Sequence, residues 1–411
     1  MTATDATAPH SRQPKPRVLF VNTRSALGAD VSVHLTLIQH LDPDRVDVFV
    51  ATNRQSTDLD ATVRAIRAAP RAQLTVCDLG HEIQGRTRIG RALSALRNVP
   101  AFFTLLRLAM LVRREGITVL HTTDRPRDAA FTTVLAKLTG AALVLHVHVK
   151  WTPEIGNAAQ WAARHARAVI GISEFTCQSL IAGGVAPDRV VRVYNATDAT
   201  RFDRDSVPLG TMRSALGQDC RVPLVGIVGR FMIWKGHLEL VTAFRDVRAR
   251  LPAARLVIVG RATPDDADYV ESVKRRIAEL DLVSSVDWVP WMDDVRAAMA
   301  DLDVLAMPSF EEPFGLVVTE CMALGRPVVG YASGALPELV TDQTDGLLVP
   351  ARDTAALGCA LVSLLCDPER RVAMGRRARQ RVIDDFSPPR QATAVAALYQ
   401  AISRGEAVPR T

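Results

Sequence analysis

The stretch Pro308-Ser309-Phe310-Glu311-Glu312-Pro313-Phe314-Gly315-Leu316-Val317-Val318-Thr319-Glu320-Cys321-Met322-Ala323-Leu324-Gly325-Arg326-Pro327-Val328-Val329-Gly330 decides the fold. The apolar run Val304 to Met307 feeds it and reads as a buried strand. Pro308 and Pro313 bracket a loop. From about Gly315 the pattern turns helical, with Leu316, Val317, Cys321 and Leu324 along one side. Gly325-Arg326-Pro327 stops the helix, because Gly tolerates positive φ and Pro cannot continue the hydrogen-bond ladder. Val328-Val329 opens the next strand. The result is a βαβ unit with two carboxylates, Glu312 and Glu320, at its working edge.

Glu312 falls in the loop and Glu320 on the helix. With the helix starting near Gly315, Glu320 stands roughly 7 Å along the axis at about 1.5 Å per residue. That spacing suits gripping two parts of one long ligand rather than sharing a proton. Backbone N–H groups near Gly315 and Leu316 lie at the helix start, where an anion such as phosphate is favoured. Gly315 lets a ligand approach closely.

A second strand-to-turn unit adds cations. Leu224 to Gly229 reads as a strand, followed by Arg230-Phe231-Met232-Ile233-Trp234-Lys235-Gly236 and a helix from about Gly236. Arg230 and Lys235 flank a turn of the kind where anions collect in open α/β sheets. A planar guanidinium fork and a point-charge ammonium both suit a diphosphate.

At 411 residues the chain is long enough for about two domains. Its 48% hydrophobic and 23% charged residues describe a globular protein. No run of about 18 uncharged apolar residues is present, so no membrane-spanning helix is expected. Residues 1–15 lack an apolar segment and read as a disordered tail rather than a secretory signal. The six cysteines are scattered with no C-x-x-C pair, which favours free thiols in a reducing cytoplasm. Residues 1–200 carry a net charge of +8 and residues 201–411 a net −2. The basic half could face an anionic acceptor or a membrane surface, or be a solvated face.

The N-terminal half alternates strands and helices. Arg17 to Asn22 is a strand, and the loop Thr23 to Asp30 contains Gly28. A helix follows from about Val31, and Val46 to Thr52 is the second strand. The dinucleotide fingerprint G-x-G-x-x-G is absent, which removes the main support for a nicotinamide or flavin cofactor. Residues 86–114 join arginines to an apolar run with Phe102 and Phe103. A helix packed on the sheet and an interfacial helix at a membrane both remain open for them. Ala142 to Val149 is a strand carrying His146 and His148 on one face, and His121 lies on a neighbouring strand. A three-histidine metal site lacks a matching carboxylate or Cys and is not expected. Asp301-Leu302-Asp303 sits at a helix-to-strand junction, where Asp serves as a cap or turn residue. Glu338 is read equally as a ligand contact or a helix start.

Taken with its frame, P-S-x2-E-x-F-G-L…E-x-M-A-x-G-x-P-V-V, the E-x7-E pair Glu312/Glu320 resembles the signature of retaining, nucleotide-sugar-dependent glycosyltransferases of family four, the group 1 glycosyltransferases. V-G-R-x4-K-G around Arg230 and Lys235 resembles their second signature. Ser333-Gly334-Ala335-Leu336-Pro337-Glu338 resembles their G-G-x-P-E turn, without its glycine pair. The resemblance is strong from Leu224 to Val349 and loose before Val190.

It implies an α/β protein of GT-B fold, two Rossmann-like parallel-sheet domains facing across a cleft. The expected layout is residues 16–200 as an acceptor-side domain, 201–217 as linker, 218–390 as a nucleotide-sugar domain, and 391–411 as a helix crossing back. It implies sugar transfer to an acceptor hydroxyl with retention, from a nucleotide-diphospho-sugar, UDP being common in similar proteins. By resemblance Arg230 and Lys235 hold the leaving diphosphate, together with the helix start at Phe314, Gly315 and Leu316. Glu320 holds the ribose, Glu312 the donor sugar, and His148 lies near the reacting sugar carbon. Gly28 stands where the family has a glycine-rich loop facing the donor. The nucleotide-sugar is a co-substrate, and no metal or other cofactor is expected. A nucleic-acid partner is not expected, the acceptor is unspecified, and the location implied is cytoplasmic, with contact to the inner face of the membrane left open. A nucleotide-sugar epimerase on the same fold and a non-catalytic sugar-binding subunit are the competing functions.

Overall fold

A computed structural model describes residues 15–22, 29–56, 59–80, 99–292 and 294–409. They build two parallel sheets. The first holds β1 (Arg17–Asn22), β2 (Asp47–Asn53), β3 (Gln73–Cys77), β4 (Val119–Thr123), β5 (Ala142–Val147), β6 (Ala168–Gly171) and β7 (Val190–Arg192) in the order β3-β2-β1-β4-β5-β6-β7. The second holds β8 (Leu224–Arg230), β9 (Arg255–Arg261), β10 (Val286–Pro290), β11 (Val304–Met307), β12 (Val328–Tyr331) and β13 (Gly346–Val349) in the order β10-β9-β8-β11-β12-β13. The two-domain GT-B architecture inferred from the resemblance is the one observed.

Central strands such as Leu224–Val228 and Val304–Met307 are buried along their length, as continuous apolar runs covered by helices on both faces require. Apolar clusters lie on the two faces of each sheet. In each sheet the strand order reverses between two neighbours, β1 and β4 in the first, β8 and β11 in the second. Ligands of open α/β sheets bind at the carboxyl ends of such a pair. Arg230 closes β8, and the loop carrying Glu312 leaves β11.

Gly325 (φ +70°) ends the helix Leu316–Ala323 in the left-handed conformation. The Gly325 and Arg326 N–H groups donate to Met322 and Cys321 carbonyls at 2.9 and 3.0 Å, the Schellman pair that an L-residue at position 325 would strain.

Residues 201–217, which lose hydrophobic periodicity in the sequence, are not a free span. Their helix Thr211–Ala215 is fixed to the second domain by Asp301, which accepts N–H bonds from Gly210 (2.6 Å), Met212 (2.8 Å) and Arg213 (3.1 Å). The edge strand β3 is short, with four of its five residues half-buried, and carries no distinct sequence signal. The helix Pro388–Ser403 follows the long helix Pro368–Asp385 and packs Val395, Leu398, Tyr399 and Ile402 into the core of the first sheet. Among the described residues no helix is long and apolar enough to cross a membrane.

Candidate active site

The turn after β8 and the loop after β11 are pressed together. Gly236 adopts φ +76°, and a Cβ there would come within 2.2 Å of the Pro308 carbonyl oxygen. Only glycine permits both the conformation and the approach. Phe310 N–H donates to the Trp234 carbonyl at 2.9 Å, stitching the two segments. As a result Lys235 Nζ reaches Glu312 Oε2 at 2.6 Å. The side chains are 14% and 7% exposed, so this is a buried ion pair. Lys235 Nζ also lies 4.5 Å from the Trp234 ring centroid.

Glu312 is held from behind by the Ser333-Gly334-Ala335 turn. Ala335 N–H donates to the Glu312 carbonyl at 2.9 Å, and Ser333 Oγ donates to the Phe310 carbonyl. A cleft of about 300 Å³ opens in front and is lined by Arg230, Lys235, Glu312, Gly315, Leu316 and His148. Gly315 caps the helix Leu316–Ala323 with φ +99°. Phe314 also lines the cleft, but its ring is buried against Tyr194 and Phe386, with centroids 6.1 Å from each. Any donor contact by Phe314 is therefore through its backbone.

Glu320 stands apart from these groups. It is half-buried on the same helix and is not among the residues lining the cleft. Burial pushes its carboxyl up to about 7, a rise that the charge of Arg201 only partly offsets. Arg230 is exposed at the end of β8.

His148 follows β5 and enters the cleft from the first domain, its N–H donating to Asp124 Oδ1 at 3.3 Å. Behind it lies a buried histidine cluster. His34 Nε2 and His121 Nε2 each lie 3.2 Å from His146 Nδ1, and Tyr399 Oη lies 2.7 Å from His121 Nδ1. Burial and the neighbouring rings hold His121 and His146 well below the usual imidazole range, so both are neutral at pH 7. His34, His146 and His148 bring a ring nitrogen each within 4.8 Å of one another. His34 takes the third place that the sequence suggested for His121. The His146 and His148 rings are tilted by 32° with their centroids 4.3 Å apart. Gly28 lies outside the described residues.

Other sequence candidates resolve into structure. Asp303 pairs with Arg213 at 2.9 Å and Arg371 at 3.1 Å, so Asp301-Leu302-Asp303 is a cap and an ion-pair node. The Glu338 carboxylate reaches the first domain, accepting N–H bonds from Glu174 (2.7 Å) and Phe175 (2.9 Å). Trp234 and Asn195 line the cleft without having been singled out for it by sequence. Trp234 could have been flagged by its position beside Lys235.

Comparison with known proteins fits this geometry. Residues 211–381 match the family described as Glycosyl transferases group 1, and residues 28–201 match Glycosyltransferase Family 4. The chain is 31% identical over 361 residues to the alpha-maltose-1-phosphate synthase of Mycolicibacterium smegmatis, covering 80% of this chain and 92% of that protein. The chain belongs to the group 1 glycosyltransferases. This glycosyltransferase is also 28% identical over 403 residues to the glycogen synthase of Mycobacterium tuberculosis, covering 95% and 88% of the two chains. Its fold matches the Anabaena HepE crystal structure with UDP at a TM-score of 0.75, with 20% identity and 94% and 100% of the chains covered. It also matches the sucrose-phosphate synthase of Thermosynechococcus elongatus at 0.72, with 22% identity and 96% and 100% covered.

Proposed function

We propose that this glycosyltransferase moves a sugar from a nucleotide-diphospho-sugar, with UDP as nucleotide, to an acceptor hydroxyl with retention at the anomeric carbon. One observation carries the reading. Arg230, Lys235 and the helix start at Gly315-Leu316 converge on one cleft, and His148 of the other domain faces into it.

In this reading the acceptor oxygen bonds to the anomeric carbon on the face from which the diphosphate leaves. The bond from that carbon to the phosphate oxygen breaks, and the acceptor proton passes to the departing phosphate. Arg230, Lys235 and the helix-start N–H groups place fixed positive charge where negative charge develops. No divalent metal is needed for that neutralisation. Lys235 engages one Glu312 oxygen, Oε2, and the other can accept a donor-sugar hydroxyl. A diphosphate arriving beside Lys235 gives the ammonium a second anionic partner, which weakens its hold on Glu312 as the sugar enters. Glu320 takes the ribose hydroxyls, and His148 hydrogen-bonds the donor sugar or phosphate. Closure over the cleft excludes water and limits donor hydrolysis.

UDP is chosen because it is common among similar proteins. GDP is the alternative, favoured by the 30% identity over 268 residues to the GDP-mannose-dependent phosphatidylinositol monomannoside mannosyltransferase of Mycolicibacterium smegmatis. Calorimetric binding and slow hydrolysis across UDP-, GDP-, ADP- and dTDP-sugars test the proposal, with Glu320→Ala as control. One donor bound and slowly hydrolysed, and lost in the control, supports it. An epimerised donor would point to the competing isomerase reading, and no binding to any of them would overturn it.

A further inference from the structure

We propose that Glu338 is a positioning residue that ties the two domains together across the cleft, so that closure and the alignment of Glu312 are one event. The alignment part rests on the donor-site reading of Glu312 above. Glu338 lies in the short helix Leu336–Leu339 of the second domain. Its Oε2 accepts the Glu174 N–H at 2.7 Å and its Oε1 accepts the Phe175 N–H at 2.9 Å. These are the opening N–H groups of the first-domain helix Glu174–Ala182, which have no partner within the helix itself. A carboxylate is the group that such a helix start favours. One domain thus supplies the N-terminal anion for a helix of the other.

The same helix start also holds the donor loop. Ser173 Oγ and Thr176 Oγ1 donate to the Pro313 carbonyl at 2.6 and 3.2 Å. On the other side of Glu312, Lys150 Nζ of the first domain meets Glu311 Oε1 at 2.5 Å. The residues just before and just after Glu312 are therefore each gripped from across the cleft. Within the second domain, Ala335 N–H bonds the Glu312 carbonyl, and Ala335 immediately precedes the helix that carries Glu338. A Cβ on Gly334 would come within 2.6 Å of the Glu312 nitrogen, so the backbone is packed there without slack. Displacing Glu338 from the first domain pulls on the segment that sets Glu312.

The Lys150–Glu311 pair is partly exposed, at 35% and 53%, and by itself contributes little. The bidentate Glu338 contact is charge-assisted on both oxygens and is the stronger tie.

The test uses the full chain. Small-angle scattering of the ligand-free protein compares wild type with Glu338→Ala and Glu338→Gln, and steady-state kinetics and UDP calorimetry follow on the same samples. The expected result for Glu338→Ala is a larger radius of gyration. With it comes a kcat lower by roughly tenfold or more, the scale of one lost charge-assisted bond. UDP affinity stays within about twofold of wild type, because the tie holds the domains and not the nucleotide. Glu338→Gln, which keeps one acceptor oxygen, recovers part of both losses.

Unchanged scattering and kcat would overturn the proposal. So would UDP affinity falling in step with kcat, which would make Glu338 a ligand contact. The scattering involves no turnover, so it stands or falls independently of the role of Glu312. Should Glu338→Ala fail to fold, Glu338→Gln carries the test. A larger radius of gyration and a lower kcat with UDP affinity kept support the tie, and wild-type values of both overturn it.

Discussion

Glu320→Gln is expected to make the free protein more stable at pH 8 while weakening nucleotide binding. The Glu320 carboxyl is pushed from its ordinary 4.5 up to about 7 because its surroundings desolvate the charged form. A carboxyl raised in the folded state binds its proton more tightly there than in the unfolded chain. Stability is therefore undiminished below pH 4.5, falls as pH rises through the interval, and stays lowered above about 7. At about 1.4 kcal/mol per pH unit the ionised side chain costs the fold on the order of 3 kcal/mol at pH 8. Gln keeps the shape without the charge but brings an amide that also needs partners, so about half of that is recovered. For a domain of this size the gain is a rise of roughly 3–6 °C in midpoint. At pH 5, where Glu320 is protonated, the variant gains little. Ribose hydroxyls that donate to Glu320 favour its carboxylate, so nucleotide binding near pH 7 should release a proton. Thermal unfolding at pH 5 and pH 8, and UDP calorimetry in two buffers of different ionisation enthalpy, measure both effects. Equal destabilisation of Glu320→Gln at the two pH values, or binding without proton release, would refute the reasoning.

Further outcomes follow from the same geometry. Lys235→Ala should lower kcat about 10²-fold through loss of one charge facing the leaving group, and wild-type turnover would remove Lys235 from the mechanism. The same variant leaves Glu312 buried without its cation and should cost about 3–5 kcal/mol of stability, read from urea unfolding. His121 and His146 are held neutral well below their ordinary 6.5. The unfolded chain therefore takes up protons first as pH falls below 6.5, and stability should drop between pH 6.5 and 5; a flat urea midpoint over that range would contradict the buried cluster. Exhaustive EDTA treatment should leave turnover unchanged, and a loss restored by a divalent ion would show that charge from Arg230 and Lys235 is not enough. The helix Val99–Arg114 leaves Phe102 and Phe103 each 59% exposed, and Met110 61% exposed, with basic residues at its end. Phe102→Ser with Phe103→Ser tests for contact of this face with anionic lipid: a drop in co-sedimentation with phosphatidylglycerol vesicles supports it, and unchanged partition leaves the face without that role.

Sequence alone determined the architecture and marked the residues proposed for the donor side. Long apolar strands separated by helical periods dictate covered parallel sheets, and Gly236, Gly315 and Gly325 mark turns where only glycine meets the backbone demand. The signatures around Arg230, Lys235, Glu312 and Glu320 named the candidate residues, because their spacing is local and survives in one dimension. Spacing along the chain does not report who pairs with whom across it. Lys235 and Glu312 are 77 residues apart, and their ion pair follows from β8 and β11 being neighbours in the sheet. Sequence gave no sign that Glu320 would be desolvated, because burial depends on what packs around a helix. His34, on the helix Ala29–His40, packs against His146 and His148 of the sheet, and His121 touches His146 and also bridges to Tyr399 on a helix that returns from the other end of the chain. Glu338 read as a ligand contact or a helix start, and it caps a helix of the opposite domain. Such long-range electrostatic and hydrogen-bond partners are set by how two domains dock, and only the tertiary structure decides that.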